Sequence, residues 1–327
     1  MSLYEKILGK NATVGVIGIG YVGLPLAVEK ARAGFKVVGF DIQQKRVDMV
    51  NRGENYIGDV DDDELKELVN SGKLRATTNF DELANCDVVS ICVPTPLDQF
   101  KQPDLSYIVN SANEVKKRLR KNQLIVLEST TYPGTTEEVV LPILEETGLK
   151  VGKDFYLAFS PERVDPGNPR YKTRNTPKVV GGVTPDCTKH AVALYESVLE
   201  AGVFPVSSPR AAEMTKILEN TFRLVNIALV QEMTKVAEKM GVNIWEVIEA
   251  ASTKPFGYMP FYPGPGIGGH CIPIDPFYLV YKAKEYDEHM MLVEVAGEIS
   301  DDMPYYVVDR LSDILNDRRE CLNGANI

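Results

Sequence analysis

From residue 12 to about residue 206, short β-branched runs alternate with amphipathic helical stretches, a pattern that leaves few folds other than a parallel sheet covered by helices on both faces. The runs Thr13–Ile17, Lys36–Asp41, Val88–Val93, Leu124–Glu128, Phe155–Phe159, Lys178–Gly181 and Gly202–Pro205 read as its strands. Directly after the first stands Gly18-Ile19-Gly20-Tyr21-Val22-Gly23, and a helical stretch from Leu24 to Ala33 follows. Between a strand and a helix, three glycines at this spacing allow a tight turn, a close approach of backbone to a pyrophosphate and tight helix–strand packing. Gly18, Gly20, Tyr21, Val22 and Gly23 are therefore expected to hold a dinucleotide at the helix N-terminus.

The second strand ends at Asp41, about 20 residues past the glycines, where a carboxylate bonds the adenosine ribose hydroxyls. Its charge repels a 2′-phosphate, so NAD is expected rather than NADP. Arg46 lies five residues further on, within reach of a 2′-phosphate or of the adenine.

With 327 residues the chain has room for two domains and part of a third, and a net charge of −10 leaves no basic patch for a nucleic-acid partner. No apolar run approaches the ~20 residues of a membrane span, and Met1 to Asn11 lacks the apolar core of a signal peptide, so a cytoplasmic protein without a membrane partner is expected. The five cysteines are scattered and contain no Cys-x-x-Cys pair, which suggests neither a disulfide framework nor a metal site. Cys86 and Cys92 border a strand and are expected to be buried.

After Pro209 the texture changes. Ala211 to Met240 runs without Gly or Pro, with apolar residues at helical spacing, and Gly241 ends it. A second helix is expected from Ile244 to Ala251 and a third from Met290 to Asn316, separated by a Pro- and Gly-rich stretch from Pro255 to Pro276. A loop of that length is usually functional. The chain ends on Leu322-Asn323-Gly324-Ala325-Asn326-Ile327, which reads as the approach to a strand that does not follow.

The chemistry-bearing residues gather at strand ends and in the long loop. Val93-Pro94-Thr95-Pro96, Glu128-Ser129-Thr130-Thr131 and Ser160-Pro161-Glu162-Arg163 each close a strand at the carboxyl edge, where open α/β sheets bind ligands. Thr95 is a candidate cofactor contact. Lys216 and Asn220 lie four apart on one helix face. Asp61-Asp62-Asp63-Glu64 is read as dipole compensation at a helix start. His270 beside Cys271 does not read as a protease-like dyad, since adjacent residues seldom face each other. His190 and His289 fall in ordinary helical stretches. Cys271 itself, between Gly268-Gly269 and Ile272-Pro273-Ile274-Asp275, reads as an exposed thiol near a carboxylate, a covalent handle for an aldehyde.

On Gly268-Gly269-His270-Cys271 and its flanks, and on the match from Gly15 to the last residue, the chain resembles the UDP-glucose/GDP-mannose dehydrogenase family. These enzymes oxidise a sugar C6 alcohol to a carboxylate with two NAD. The wording Lys254-Pro255-Phe256-Gly257-Tyr258-Met259-Pro260-Phe261-Tyr262-Pro263-Gly264-Pro265-Gly266 looks most like the branch acting on UDP-N-acetylglucosamine, whose members supply uronic acids for surface polysaccharides. The resemblance implies an NAD-binding Rossmann-like domain at 1–208 and a central helical domain at 209–305 that carries the catalytic cysteine and joins a homodimer. Residues 306–327 would be a linker and the start of a C-terminal UDP-binding domain otherwise absent from this chain.

The resemblance also implies roles. Cys271 is the nucleophile, Lys216 and Asn220 lie beside the reacting C6 oxygen, Asp275 follows the cysteine, and Thr130 and Glu162 hold or activate water. Thr130 doubles as a cofactor contact, and Glu162, Arg163, Lys216, Asn220, Phe261, Tyr262 and Gly268 are expected to meet the UDP-sugar. UDP-glucose and UDP-N-acetylmannosamine are alternative substrates. A β-hydroxyacid dehydrogenase shares the Rossmann domain and the helical Lys and Asn but needs no cysteine. A non-catalytic NAD-binding dimer has no use for Cys271, Lys216, Asn220 and Asp275 together.

Overall fold

The computed structural model describes residues 1–327 apart from Asp165, Pro166, Pro169, His270 and Ile327. It divides into two compact units, Met1–Lys216 and Ile217–Ile327.

In the first unit α1 (Leu3–Leu8) precedes β1 (Thr13–Ile17), α2 (Gly23–Arg32), β2 (Lys36–Phe40), α3 (Gln44–Asn51), α4 (Asp62–Asn70), β3 (Leu74–Thr77) and β4 (Val88–Ile91). There follow α5 (Ser106–Lys116), β5 (Leu124–Leu127), α6 (Leu141–Glu145), β6 (Tyr156–Phe159), β7 (Lys178–Gly182), α7 (Pro185–Glu196), β8 (Val203–Val206) and the start of the long α8 (Pro209–Lys239). The sheet order is β3-β2-β1-β4-β5-β6-β7-β8. The order reverses between β1 and β4, the point at which a doubly wound sheet opens a ligand crevice. Strand residues alternate between two cores. Val14 and Val16 pack with α2 and α7 residues such as Leu24 and Leu194, whereas Ile17, Val89 and Ile91 pack with Ile108 and Leu144 on the opposite face.

Two features of the sheet depart from the sequence reading. Leu74–Thr77 forms an edge strand that a short Leu-Arg-Ala-Thr segment does not announce. The sheet is also not parallel throughout, because β6 and β7 run antiparallel, with Ala158 opposite Gly182. A parallel neighbour needs a crossover that returns the chain to the opposite edge, usually on a helix. Among its described residues, the β6–β7 connection carries only a 3-10 turn at Thr173–Asn175. The chain therefore turns back at the carboxyl edge, and β7 begins there.

Acidic residues open α4 as expected, with the Asp61 side chain accepting from Glu64 N. Cys86 and Cys92 are buried.

In the second unit α8 continues into α9 (Ile244–Ser252), α10 (Asp275–Ala283) and α11 (Met291–Asp317). Val230, Ala237, Ile244 and Ile248 form a small core against which Phe261 packs. Gly297 of α11 lets the Phe277 ring lie close, since a Cβ there would meet Phe277 Cζ at 2.6 Å. His289 lies in the connection before α11 rather than in a helix and pairs with Glu294. Among the described residues no helix is long and apolar enough to cross a membrane.

Candidate active site

The glycine loop between β1 and α2 is shaped by three separate constraints. Gly18 has φ of +85°, and a Cβ there would stand 2.6 Å from Cys92 O. A Cβ at Gly23 would fall 1.8 Å from Gly18 O, so only glycine lets α2 start against the loop. Gly20 meets nothing within 4 Å, leaving open space where a pyrophosphate would approach backbone. No side chain caps the start of α2 at Val22, Leu24 N donates to Gly20 O at 3.0 Å, and Pro25 carries no N–H, so an anion at this end would meet the loop backbone and the helix dipole rather than a full set of free N–H groups.

Asp41 lies at the end of β2, 5% exposed, and its Oδ2 accepts from Ile19 N at 3.3 Å. Its Oδ1 accepts from Gln43 N at 2.9 Å, and Arg46 Nη1 stands 3.4 Å from Oδ2. The carboxylate thus ties the glycine loop to the second strand. Tyr56 adds a tether that the sequence does not signal, donating to Ile19 O at 2.5 Å from 37 residues away. Burial is the main reason that its hydroxyl is pushed up from the ordinary tyrosine range. These residues fit a dinucleotide, while Tyr21, though in the motif, is 75% exposed.

At the carboxyl ends of β4 and β5, Ser129 Oγ accepts from Val93 N at 2.9 Å and fixes the segment leading to Thr95 against the one carrying Thr130. Thr130 is half-buried. The backbone beyond it is held by Glu213 of α8, another residue that sequence reading missed. Glu213 Oε1 accepts from Thr136 N at 2.9 Å and Thr136 Oγ1 at 2.7 Å, and Oε2 from Gly134 N at 2.5 Å. Burial outweighs these bonds and pushes its carboxyl up to about 7. Past β6, Glu162 Oε1 accepts from Arg163 N and Val164 N at 2.9 and 3.1 Å, and Arg163 Nη1 donates to Pro177 O. Lys216, buried, closes the first unit.

In the second unit Asn220 lies on α8. Its Nδ2 donates to Asp275 Oδ2 at 2.5 Å, and both residues are buried. Cys271 is exposed. Its carbonyl accepts from Ile274 N at 3.1 Å and Asp275 N at 2.8 Å, closing the turn into α10. Gly268 and Gly269 have φ of +64° and +74°, in the left-handed region that favours glycine. Gln231, fully buried on α8, donates to Gly266 O at 2.9 Å and accepts from Ser300 Oγ at 3.0 Å, anchoring the loop upstream of the cysteine. Phe261 packs on the small core, and Tyr262 stacks on Trp245. His270 lies outside the described residues.

Two family models match: the NAD-binding domain of the UDP-glucose/GDP-mannose dehydrogenase family over residues 12–199, and its central domain over 210–302. The chain is 40% identical over 319 residues to a UDP-N-acetyl-D-glucosamine 6-dehydrogenase of Pseudomonas aeruginosa, covering 97% of this chain and 74% of that one. The solved structure of a UDP-D-ManNAc dehydrogenase from Pyrococcus horikoshii superposes with a TM-score of 0.88 at 38% identity, over 94% of this chain and 72% of that one. A 3-hydroxyisobutyrate dehydrogenase of Mycobacterium tuberculosis reaches a TM-score of 0.65 at 15% identity, over 91% and 94% of the two chains, and shares the fold alone. With both domains matched in order on one chain, the protein belongs to the UDP-glucose/GDP-mannose dehydrogenase family of NAD-dependent oxidoreductases.

Proposed function

We propose that this protein oxidises the C6 alcohol of UDP-N-acetylglucosamine to the uronic acid in two steps. The observation that carries the reading is an exposed Cys271 in a turn of Gly268, Gly269 and Asp275, on a chain whose Gly18–Gly23 loop and Asp41 fit a dinucleotide. NAD supplies the hydride acceptor for both oxidations. Loss of hydride and proton from C6 gives an aldehyde, to which the Cys271 thiolate adds as a thiohemiacetal. A second hydride loss gives the thioester. Water then attacks the acyl carbon, the carbon–sulfur bond breaks, and carboxylate and thiol are released.

Lys216 supplies the positive charge that stabilises the developing oxyanion, and Asn220 orients the reacting oxygen. Asp275 holds Asn220, and Thr130 and Glu162 hold and deprotonate the water. Arg163, Phe261, Tyr262 and Gly268 contact the nucleotide sugar, and Thr95 contacts the cofactor. The homodimer reading draws support from α8, where Leu218, Phe222, Leu229 and Met233 are exposed at helical spacing.

The test is stoichiometry. Incubation with UDP-N-acetylglucosamine and excess NAD is expected to release two NADH per sugar and a uronic acid. One NADH per turnover would sink the covalent scheme, and faster turnover of UDP-glucose or UDP-N-acetylmannosamine would reassign the sugar.

A further inference from the structure

Beneath the carboxyl edge of the first unit lies a line of charge that none of the roles above uses. Lys30 of α2 is fully buried, with its Nζ 2.6 Å from Ser90 Oγ and 3.2 Å from Glu128 Oε1. Glu128, equally buried, has its second oxygen 3.0 Å from Lys178 Nζ. Lys178 is 4% exposed and donates to Pro161 O at 3.1 Å and Glu162 Oε2 at 3.4 Å. The Tyr195 ring lies 5.5 Å from Lys30 Nζ and 5.1 Å from Lys178 Nζ, and so faces both ammonium groups.

Charge balance decides what this arrangement demands. Burying an ammonium is costly unless an anion accompanies it, and Glu128 supplies one charge between two lysines. The second comes from Glu162, 15% exposed at the edge. Burial lowers the proton affinity of Lys178, but the Glu162 carboxylate, followed by that of Glu128, outweighs it and raises the pKa above the usual lysine range. Burial likewise pushes Glu128 up, and Lys30 and Lys178 outweigh it, bringing its carboxyl down to about 2. The reversed direction of β7 is what delivers Lys178 to this edge beside the Pro161–Glu162 backbone.

We propose that Lys178 is a positioning residue for Glu162: it fixes the carboxylate, already held on Oε1 by two backbone N–H groups, in one orientation at the sheet edge. Lys30 and Glu128 form the buried pair that lets Lys178 stay charged there. The proposal rests on the function argued above, in which Glu162 takes the proton of the attacking water.

The experiment uses the full chain with Lys178→Met and Lys178→Arg. Met leaves Lys30 and Glu128 as a neutral buried pair, so folding is expected to survive. In protein labelled with ¹³C at the glutamate carboxyl carbon, the Glu162 resonance, assigned by its loss in Glu162→Gln, is expected to move in Lys178→Met and to return in Lys178→Arg. With UDP-N-acetylglucosamine, kcat in Lys178→Met is expected to fall about tenfold while KM for sugar and NAD stays within about twofold, with recovery in Lys178→Arg. A Glu162 resonance unmoved by Lys178→Met overturns the proposal, as does an unchanged kcat. Should Lys178→Met not fold, the ¹⁵N resonance of Lys178 Nζ in wild type against Glu162→Gln tests the same pair from the other side, and no change there overturns it. Absence of wild-type turnover would count against the proposed function alone and leave the resonances to decide the coupling.

Discussion

The side-chain amide of Asn220 donates to Asp275 Oδ2 over 2.5 Å, linking α8 to the first residue of α10, four residues past Cys271. Neither residue is near the other in sequence, and both are buried. A buried carboxylate of this kind depends on its donors. Asn220→Ala is expected to lower the unfolding free energy by about 1–3 kcal/mol in urea titrations. Asn220→Asp places a second carboxylate against Asp275, so it should destabilise more at pH 8 than at pH 5. Equal loss at both pH values would mean that the pair does not carry this load.

Cys271→Ser is expected to block acid formation while leaving NAD affinity within about twofold of wild type, because a hydroxyl is a far poorer nucleophile than a thiolate. Reduction of the corresponding aldehyde by NADH needs no covalent step and should persist. Uronic acid production at the wild-type rate would remove the thiol from the mechanism.

Asp41→Ala removes the acceptor of Ile19 N and of Gln43 N, together with the charge that, in the proposed cofactor site, would meet the ribose hydroxyls. NAD affinity is expected to fall about tenfold or more, and the preference over NADP to narrow, since one lost charged hydrogen bond is worth about 1.5–3 kcal/mol. Calorimetric titration of both cofactors measures this. An unchanged preference would hand the discrimination to Arg46.

Glu213 gives the fold a pH dependence of definite sign. Its folded-state pKa of about 7 lies above the ordinary value of 4.5, because burial favours the neutral acid. A raised value means that its stabilisation is complete below about pH 4.5 and is lost as pH rises through 7. The amount is on the order of 3 kcal/mol. Unfolding free energies measured from pH 5 to pH 8 should therefore decline in the wild type, and Glu213→Gln should flatten that slope. A variant that retains the wild-type slope would locate the titration elsewhere.

The strand-and-helix alternation, the Gly18–Gly23 loop with Asp41 about 20 residues on, and the cysteine in its glycine-rich turn were all legible in the sequence, because each is written in residue types at short, fixed spacings along the chain. Hydrophobic period and glycine conformation are local properties. The reversal of β7, the edge strand β3, and the partners Tyr56, Glu213, Gln231 and Lys178 were not. Each depends on a contact across the fold: Tyr56 to Ile19 spans 37 residues, Thr136 to Glu213 spans 77 and Gly266 to Gln231 spans 35. A buried charge or amide looks in sequence like any surface residue, since only its surroundings show that it lost water and gained partners. Local pattern determined the elements and the loop chemistry; the tertiary structure alone decided which distant donors and charges hold those loops in place.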